Sequence, residues 1–138
     1  MIETNLGVNW YSKSKCGMEF FCVNGRKTNF KVKEFACKDG SDEILIDCEL
    51  VEKLQVIRER IGKPVYINSA YRTPEYNKKV GGVDNSQHVF GKAADIHVTG
   101  VDPSTLFEFA KEAGFRGIGL YSWGVHVDTR EHKATWKG

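Results

Sequence analysis

Hydrophobic and polar positions along the chain follow two periods, and each period predicts a different kind of element. Between Asp42 and Ile61 the apolar residues recur at spacings of three and four, which places them on one face of a helix. These residues are Ile46, Leu50, Leu54, Ile57 and Ile61. Gly62 and Pro64 follow and predict the end of the helix. We expect this helix to cover a sheet.

Shorter apolar runs predict the strands of that sheet. Met18–Val23 and Thr28–Val32 flank Asn24-Gly25, a strong signal for a two-residue hairpin turn. Further strands are predicted at residues 64–69, 93–99, 115–121 and 125–129, with a helical turn at 75–80 and a second helix from Asp102 to Gly114. Residues 131–138 show little pattern.

Few helices and short strands joined by hairpins indicate an α+β domain with a mainly antiparallel sheet covered by helices. A chain of 138 residues is long enough to bury a real core without disulfide or metal support. We therefore expect a single domain over residues 1–138, and a monomer.

Composition and charge exclude some classes of function. The hydrophobic fraction of 41% and the charged fraction of 28% are ordinary for a globular protein, and a net charge of +2 does not indicate nucleic-acid binding. No stretch approaches the ~20 apolar residues of a membrane span. Basic residues from Lys13 to Lys33 precede an acidic stretch from Glu34 to Glu52. The two stretches are either solvated faces or, for the basic one, a weak docking surface for an anionic polymer such as a cell wall.

The N-terminus and the cysteines bear on localisation. Met1–Asn5 lacks the basic and apolar regions of a signal peptide, so we expect synthesis in the cytoplasm. The cysteines are Cys16, Cys22, Cys37 and Cys48, and they form no CxxC pair, which argues against a four-cysteine zinc site. We expect free thiols, although a disulfide could form after release from the cell.

A candidate metal site comes from two short stretches. His88 and Asp95 lie seven residues apart with Gly91 between them, and His126 lies in a second stretch that also holds Asp128. Side chains alternate along a strand, so Asp95 should share one face with His97, and His126 should share one face with Asp128. Catalytic zinc usually takes three protein ligands and a water. The HxxxxxxD spacing alone is also compatible with a structural histidine.

Three motifs of the chain resemble those of the zinc D-alanyl-D-alanine carboxypeptidases, a family that includes phage lysis peptidases and murein endopeptidases. The motifs are Ser69–Asn77, Ser86–Asp95 and His126–Asp128, in that order. The resemblance runs from about Phe30 to Trp136. Residues 1–29 lie outside it, as an N-terminal hairpin extension.

The resemblance implies roles for individual residues. His88, Asp95 and His126 match the zinc ligands, and Arg72 matches an arginine that binds the substrate and polarises the scissile carbonyl or its oxyanion. Ser86 matches a serine in the substrate groove. Without the resemblance, Arg72 would be read as part of a surface salt bridge and Ser86 as a plain loop residue.

The general base is the point at which the chain departs from the family pattern. Relatives often carry a glutamate three residues before the last ligand or a histidine two residues before it, whereas this chain has Trp123 and Gly124. Asp128 could accept the proton of a zinc-bound water, or it could orient a ligand histidine. His97 and His132 are further candidates.

The resemblance also implies the reaction: zinc-dependent hydrolysis of a peptide bond at D-alanine in peptidoglycan stem peptides, as a carboxypeptidase or an endopeptidase. A phage or prophage lysis enzyme that acts on the wall after release, or a component of a phage particle, would fit the missing signal peptide. The alternative is a zinc-containing binding module of the same fold without activity. A zinc or redox protein built on the cysteines would need all four thiols to converge.

Overall fold

Ten strands and four α-helices form a mixed α+β fold in the computed structural model, which describes residues 1–138. In chain order they are β1 (Ile2–Glu3), β2 (Val8–Ser12), α1 (Lys13–Cys16), β3 (Phe20–Val23), β4 (Arg26–Lys31), β5 (Glu43–Asp47), α2 (Cys48–Ile61), β6 (Tyr66–Ser69), α3 (Pro74–Lys79), β7 (Ala93–His97), α4 (Pro103–Ala113), β8 (Gly117–Tyr121), β9 (Gly124–Asp128) and β10 (Ala134–Lys137). The predicted fold class is confirmed: the strands are mostly antiparallel and the helices are few.

The central sheet has five strands in the order β10-β8-β9-β7-β6. All of its neighbouring strands are antiparallel except β10, which runs parallel to β8. In this register Asp95 on β7 and Gly119 on β8 both lie opposite His126 on β9. Directly opposed residues point to the same face of a sheet, so the row Asp95, His126, Gly119 crosses one face of three adjacent strands.

The other face of this sheet is the wall of the core. Ile96, Val125 and Val127 are fully buried there, and α4 packs against β8 and β9. One hydrophobic cluster continues from these residues through α2 to Phe21 and Phe30 of the N-terminal hairpin. Packing of these side chains into the core fixes the central strands on one face of the sheet. The opposite face carries the polar side chains.

The first predicted helix begins later than the sequence pattern indicates, and the predicted start at Asp42 is wrong. Glu43–Asp47 forms β5, which pairs antiparallel with β2. Ile44 and Ile46 are buried with period two, and the Asp47 side chain accepts a hydrogen bond from the Glu49 backbone N–H as the helix N-cap. Ile46 fits both the strand period of two and the helical spacing of three to four, which is why the pattern predicted a helix that begins too early.

The other predicted elements follow the sequence closely. Asn24 and Gly25 connect β3 and β4 with positive φ angles of 52° and 75°, as a two-residue hairpin turn requires. The helical turn at 75–80 is α3, and the second helix is α4. Strand β10 lies in residues 131–138, where no element was predicted, and β1, β2 and α1 likewise precede the first predicted element. The structure contains no helix with the length and apolar character needed to span a bilayer.

Candidate metal centre

Three side chains converge on the polar face of the central sheet. One nitrogen of His88, one of His126 and a carboxylate oxygen of Asp95 lie within 4.8 Å of one another. Asp95 Oδ1 is 2.9 Å from His126 Nδ1 and 3.3 Å from His88 Nε2. Two imidazole nitrogens and a carboxylate oxygen are a donor set that suits zinc. The structure therefore brings the three predicted ligands together.

His88 reaches the sheet from a loop that is fixed at several points. The Ser86 hydroxyl accepts a hydrogen bond from the His88 backbone N–H at 3.2 Å, and the His88 carbonyl accepts one from the Arg72 N–H at 3.2 Å. Gly91 has a φ of +73°, and a Cβ there would lie only 2.5 Å from the Leu45 carbonyl oxygen. Glycine at this position lets the loop pass close to β5 and turn back toward Asp95.

The partner of the second His88 nitrogen fixes the direction of the ring. Nδ1 lies 2.7 Å from the Ala70 carbonyl oxygen, which can only accept, so Nδ1 must donate. In the neutral ring Nε2 is then an acceptor that faces the carboxylate oxygen of Asp95. Two acceptors facing each other repel, and a cation between them removes the repulsion. This arrangement fits a bound metal ion.

His126 is held in the same way by Asp128. The Asp128 carboxylate is fully buried, and His126 Nε2 donates to its Oδ2 at 2.7 Å. Arg130 donates to both Asp128 oxygens, at 2.8 and 2.7 Å. With both oxygens engaged, Asp128 is placed to orient His126, so that Nδ1 faces the site. The geometry favours this role over that of a proton acceptor in the cavity.

Charge at the centre favours a cation. Burial opposes ionisation of Asp95, but the neighbouring His126 and His88 hold the pKa of this carboxyl well below its usual range. Burial likewise opposes the charged form of His126, yet Asp128 and Asp95 raise its pKa. Two ionised carboxylates therefore flank His126 and favour positive charge at the centre.

Arg72 lies beside the ligand row, by which we mean His88, Asp95 and His126, and its side chain is fixed by three neighbours. Its Nε donates to Ser69 Oγ and its Nη1 to Asn77 Oδ1, both at 3.3 Å. Its Nη2 is 3.6 Å from Asp95 Oδ2. Asn77 is itself buried and donates to the Val83 carbonyl at 2.7 Å, which ties Arg72 to the loop that leads to His88. A guanidinium so fixed keeps further N–H donors for a substrate.

A cavity of about 450 Å³ opens above the three converging side chains. Arg72 and Ser86 line it, as expected for groove residues. Its other walls include Tyr121, Trp123 and Trp136, which sequence reasoning missed. The volume lies in the ordinary range for small-molecule sites. Apart from Asp95, no carboxylate lines this cavity, and its only histidines are His88 and His126.

The remaining candidates lie elsewhere. His97 Nδ1 is 2.6 Å from Asn68 Oδ1 and its ring stacks on Tyr66, outside the cavity, while His132 is exposed. The four cysteines are free and form no group that could hold a metal.

Part of the cavity wall was not predicted, but the sequence does contain a signal for it. The signal is a pair of glycines at alternate positions of β8. A Cβ at Gly117 would lie 2.0 Å from Asp128 Oδ1, and one at Gly119 would lie 2.4 Å from Trp136 Nε1. The two glycines therefore leave room for the Asp128–Arg130 pair and for the indole of Trp136. Alternating glycine on a strand beside a ligand strand indicates that side chains from elsewhere cover that face.

Comparison with known proteins places the chain in a family. A family model described as Peptidase M15 matches residues 28–128. The chain belongs to the Peptidase M15 family. The match to this M15 domain contains all three candidate ligands, Arg72 and Asp128, and it ends before Arg130 and Trp136.

Two curated relatives of this M15 domain have names that describe activity. The zinc D-Ala-D-Ala carboxypeptidase of Streptomyces albus G is 37% identical over 67 residues, which is 48% of this chain and 26% of that protein. The peptidoglycan L,D-endopeptidase MepK of Escherichia coli K12 is 32% identical over 93 residues, 61% of this chain and 51% of that protein. The chain thus spans about a quarter of the one relative and half of the other.

Proposed function

We propose that this M15 domain is a zinc-dependent peptidase that hydrolyses a peptide bond, at D-alanine, in bacterial peptidoglycan stem peptides. The observation that carries the proposal is the convergence of His88, Asp95 and His126 at the base of a cavity lined by Arg72. The names of the two relatives, a carboxypeptidase and an endopeptidase of peptidoglycan, support the substrate class.

His88 Nε2, Asp95 Oδ1 and His126 Nδ1 would hold the metal. Each histidine has its other nitrogen engaged by a fixed acceptor, Ala70 or Asp128, so the free lone pairs need little reorganisation to bind a cation. When bound, zinc lowers the pKa of a coordinated water and polarises a carbonyl.

The other residues of the chain position the peptide. Arg72 binds the substrate and donates to the carbonyl oxygen as negative charge develops on it, which is where a fixed donor contributes most. Ser86 lies on the cavity wall, where its hydroxyl can contact the substrate while it supports the His88 turn. We assign Asp128 to the orientation of His126. The proposed setting is the cell wall, reached after release in phage or prophage lysis or during wall remodelling.

The test is digestion of purified peptidoglycan, with mass analysis of the released muropeptides. We expect products that a chelator abolishes and zinc restores, and their masses distinguish a carboxypeptidase from an endopeptidase. His88→Ala should lose both bound zinc and hydrolysis, whereas His132→Ala changes an exposed histidine and should lose neither. Stoichiometric zinc and full activity in His88→Ala would contradict the proposed site.

A second candidate is a zinc-containing binding module of the same fold. The cavity favours it in one respect, because no carboxylate or histidine beyond the candidate ligands lines it. Zinc binding and retention on peptidoglycan, without release of any muropeptide, would identify this function.

A further inference from the structure

Tyr121 is positioned over the ligand row by the backbone of its own strand. It ends β8 two residues after Gly119, which lies opposite His126. A Cβ at Gly119 would lie 2.8 Å from Tyr121 Cε2, so the phenol ring leans back along the strand and covers Gly119. Tyr121 lines the same cavity as the three ligand residues. Its ring therefore lies beside the candidate metal centre.

The Tyr121 hydroxyl has one partner in the protein, and that partner sets its direction. Trp136 Nε1 lies 2.8 Å from the hydroxyl oxygen. An indole N–H can only donate, so the phenol oxygen is the acceptor and its own proton is left for another acceptor. No hydrogen bond within the protein uses that proton. Donation from Trp136 also polarises the phenol O–H bond, which makes it a stronger donor.

Trp136 is itself held in place. Its ring centroid is 5.3 Å from that of His126, and the Arg130 guanidinium lies 4.9 Å from its ring centre. Arg130 is in turn paired with the buried Asp128. One connected set of side chains thus fixes both the second nitrogen of His126 and the hydroxyl of Tyr121.

Arg72 and Tyr121 lie on opposite sides of the ligand row. Arg72 follows β6 at one edge of the five-stranded sheet, and Tyr121 belongs to β8, on the far side of β9. Both line the same cavity, so a carbonyl bound there lies between a charged donor on one side and a neutral, preoriented donor on the other.

We propose that the Tyr121 hydroxyl is a catalytic hydrogen-bond donor to the scissile carbonyl oxygen, and that Trp136 is the positioning residue that aims it. This inference rests on the proposed peptidase function. The phenol keeps its proton throughout, and its contribution is a hydrogen bond that strengthens as the carbonyl oxygen becomes an anion. Such a bond lowers the barrier of the chemical step more than it improves substrate binding.

The test compares Tyr121→Phe with Tyr66→Phe, an exposed tyrosine outside the cavity. We expect Tyr121→Phe to retain zinc and to lower kcat by about 100-fold with little change in KM, as for loss of one oxyanion donor. Trp136→Phe should lower kcat by a smaller factor, and Tyr66→Phe should leave it unchanged. An inactive wild-type protein would refute the proposed function, whereas an active wild type with unchanged kcat in Tyr121→Phe would refute the role of Tyr121.

A second readout does not need activity. The chain has three tryptophans and hence three indole N–H signals in a nitrogen–proton correlation spectrum. Trp136→Phe identifies its own signal by removing it. In the metal-free protein we expect Tyr121→Phe to move that signal, since it removes the acceptor, and Tyr66→Phe to leave it in place. An unmoved signal in Tyr121→Phe would overturn the proposed Tyr121–Trp136 pair.

Discussion

Each of the two histidines at the candidate centre has its orientation set by an acceptor on the side away from the cavity. For His88 that acceptor is the Ala70 carbonyl, and for His126 it is the carboxylate of Asp128. The carbonyl belongs to the backbone and is insensitive to substitution at Ala70, whereas the carboxylate can be replaced. The orientation of His126 is therefore the one that side-chain substitution can test.

Asp128→Asn should weaken zinc binding by about 10- to 100-fold, the usual effect of removing a partner that orients a ligand. The amide keeps the size of the side chain but removes the charge that pairs with Arg130 and His126. Zinc affinity is measured by competition with a chelating dye, and Asp102→Asn, at an exposed carboxylate, serves as the control. Normal zinc affinity with hydrolysis abolished would instead assign Asp128 the role of proton acceptor.

The residues that the sequence could and could not predict differ in how their positions are encoded. His88, Asp95 and His126 lie in local motifs, and the alternation of a strand is enough to place two of them on one face. Tyr121 and Trp136 meet only because β10 pairs in parallel with β8. That pairing joins segments with no shared local signal, so their contact with the site could not be read from spacing.

At the scale of elements, β8 shapes the site by what it lacks. Gly117 lies opposite Asp128 and Gly119 lies opposite His126 on the polar face of the sheet. Neither has a side chain, so the space above β8 is filled by Arg130 and Trp136, which come from the segment after β9. The glycines therefore determine where the wall of the cavity can form.

Gly117→Ala should lower the free energy of unfolding by about 2–4 kcal/mol, since an added methyl overpacks a filled space and displaces a buried ion pair. The methyl would lie 2.0 Å from Asp128 Oδ1 and 2.4 Å from Arg130 Nε. Urea unfolding measures the loss, and Thr135→Ala, at an exposed position on β10, is the control. Wild-type stability in Gly117→Ala would mean that the Asp128–Arg130 pair can move without cost.

The misplaced start of α2 shows where element prediction reaches its limit. Ile46 satisfies both the helical and the strand period, and what decides between them is β2, a partner more than thirty residues away in the sequence. Pairing with β2 buries Ile44 and Ile46 and leaves Asp47 to cap the helix. Local periodicity contains no information on such a partner, whereas the Asn24-Gly25 hairpin and the capped end of α2 at Gly62 are local and were predicted.

At the scale of the whole molecule, Arg116 joins helix α2 to Thr129 and Arg130, which follow β9 and form the segment behind the site. Arg116 donates to both carboxylate oxygens of Glu49 on α2, at 2.7 and 2.9 Å, and to the carbonyls of Thr129 and Arg130. The Thr129 hydroxyl also donates to the buried Asp47 at 2.6 Å. The residues that follow β9, and with them Arg130, are thus anchored to the N-terminal end of α2.

This anchor makes the stability of the fold depend on pH in a stated direction. Hydrogen bonds from Arg116 lower the pKa of Glu49 from its ordinary 4.5 to about 2. A carboxyl with a lower pKa in the folded state stabilises the fold above its unfolded pKa, and the contribution is lost as pH falls from about 4.5 to about 2. Because Glu49 is one-third exposed, solvent screening limits the contribution to about 1 kcal/mol.

Glu49→Gln should therefore be less stable than the wild type by about 1 kcal/mol at pH 7, with the difference vanishing near pH 2. Urea unfolding at a series of pH values measures both proteins under matched salt. Glu52→Gln is the matched control, since Glu52 is exposed on the same helix and forms no ion pair, and its stability should follow the wild-type curve. A constant difference between Glu49→Gln and the wild type at all pH values would show that Glu49 contributes through packing, and that charge does not couple α2 to the segment behind the site.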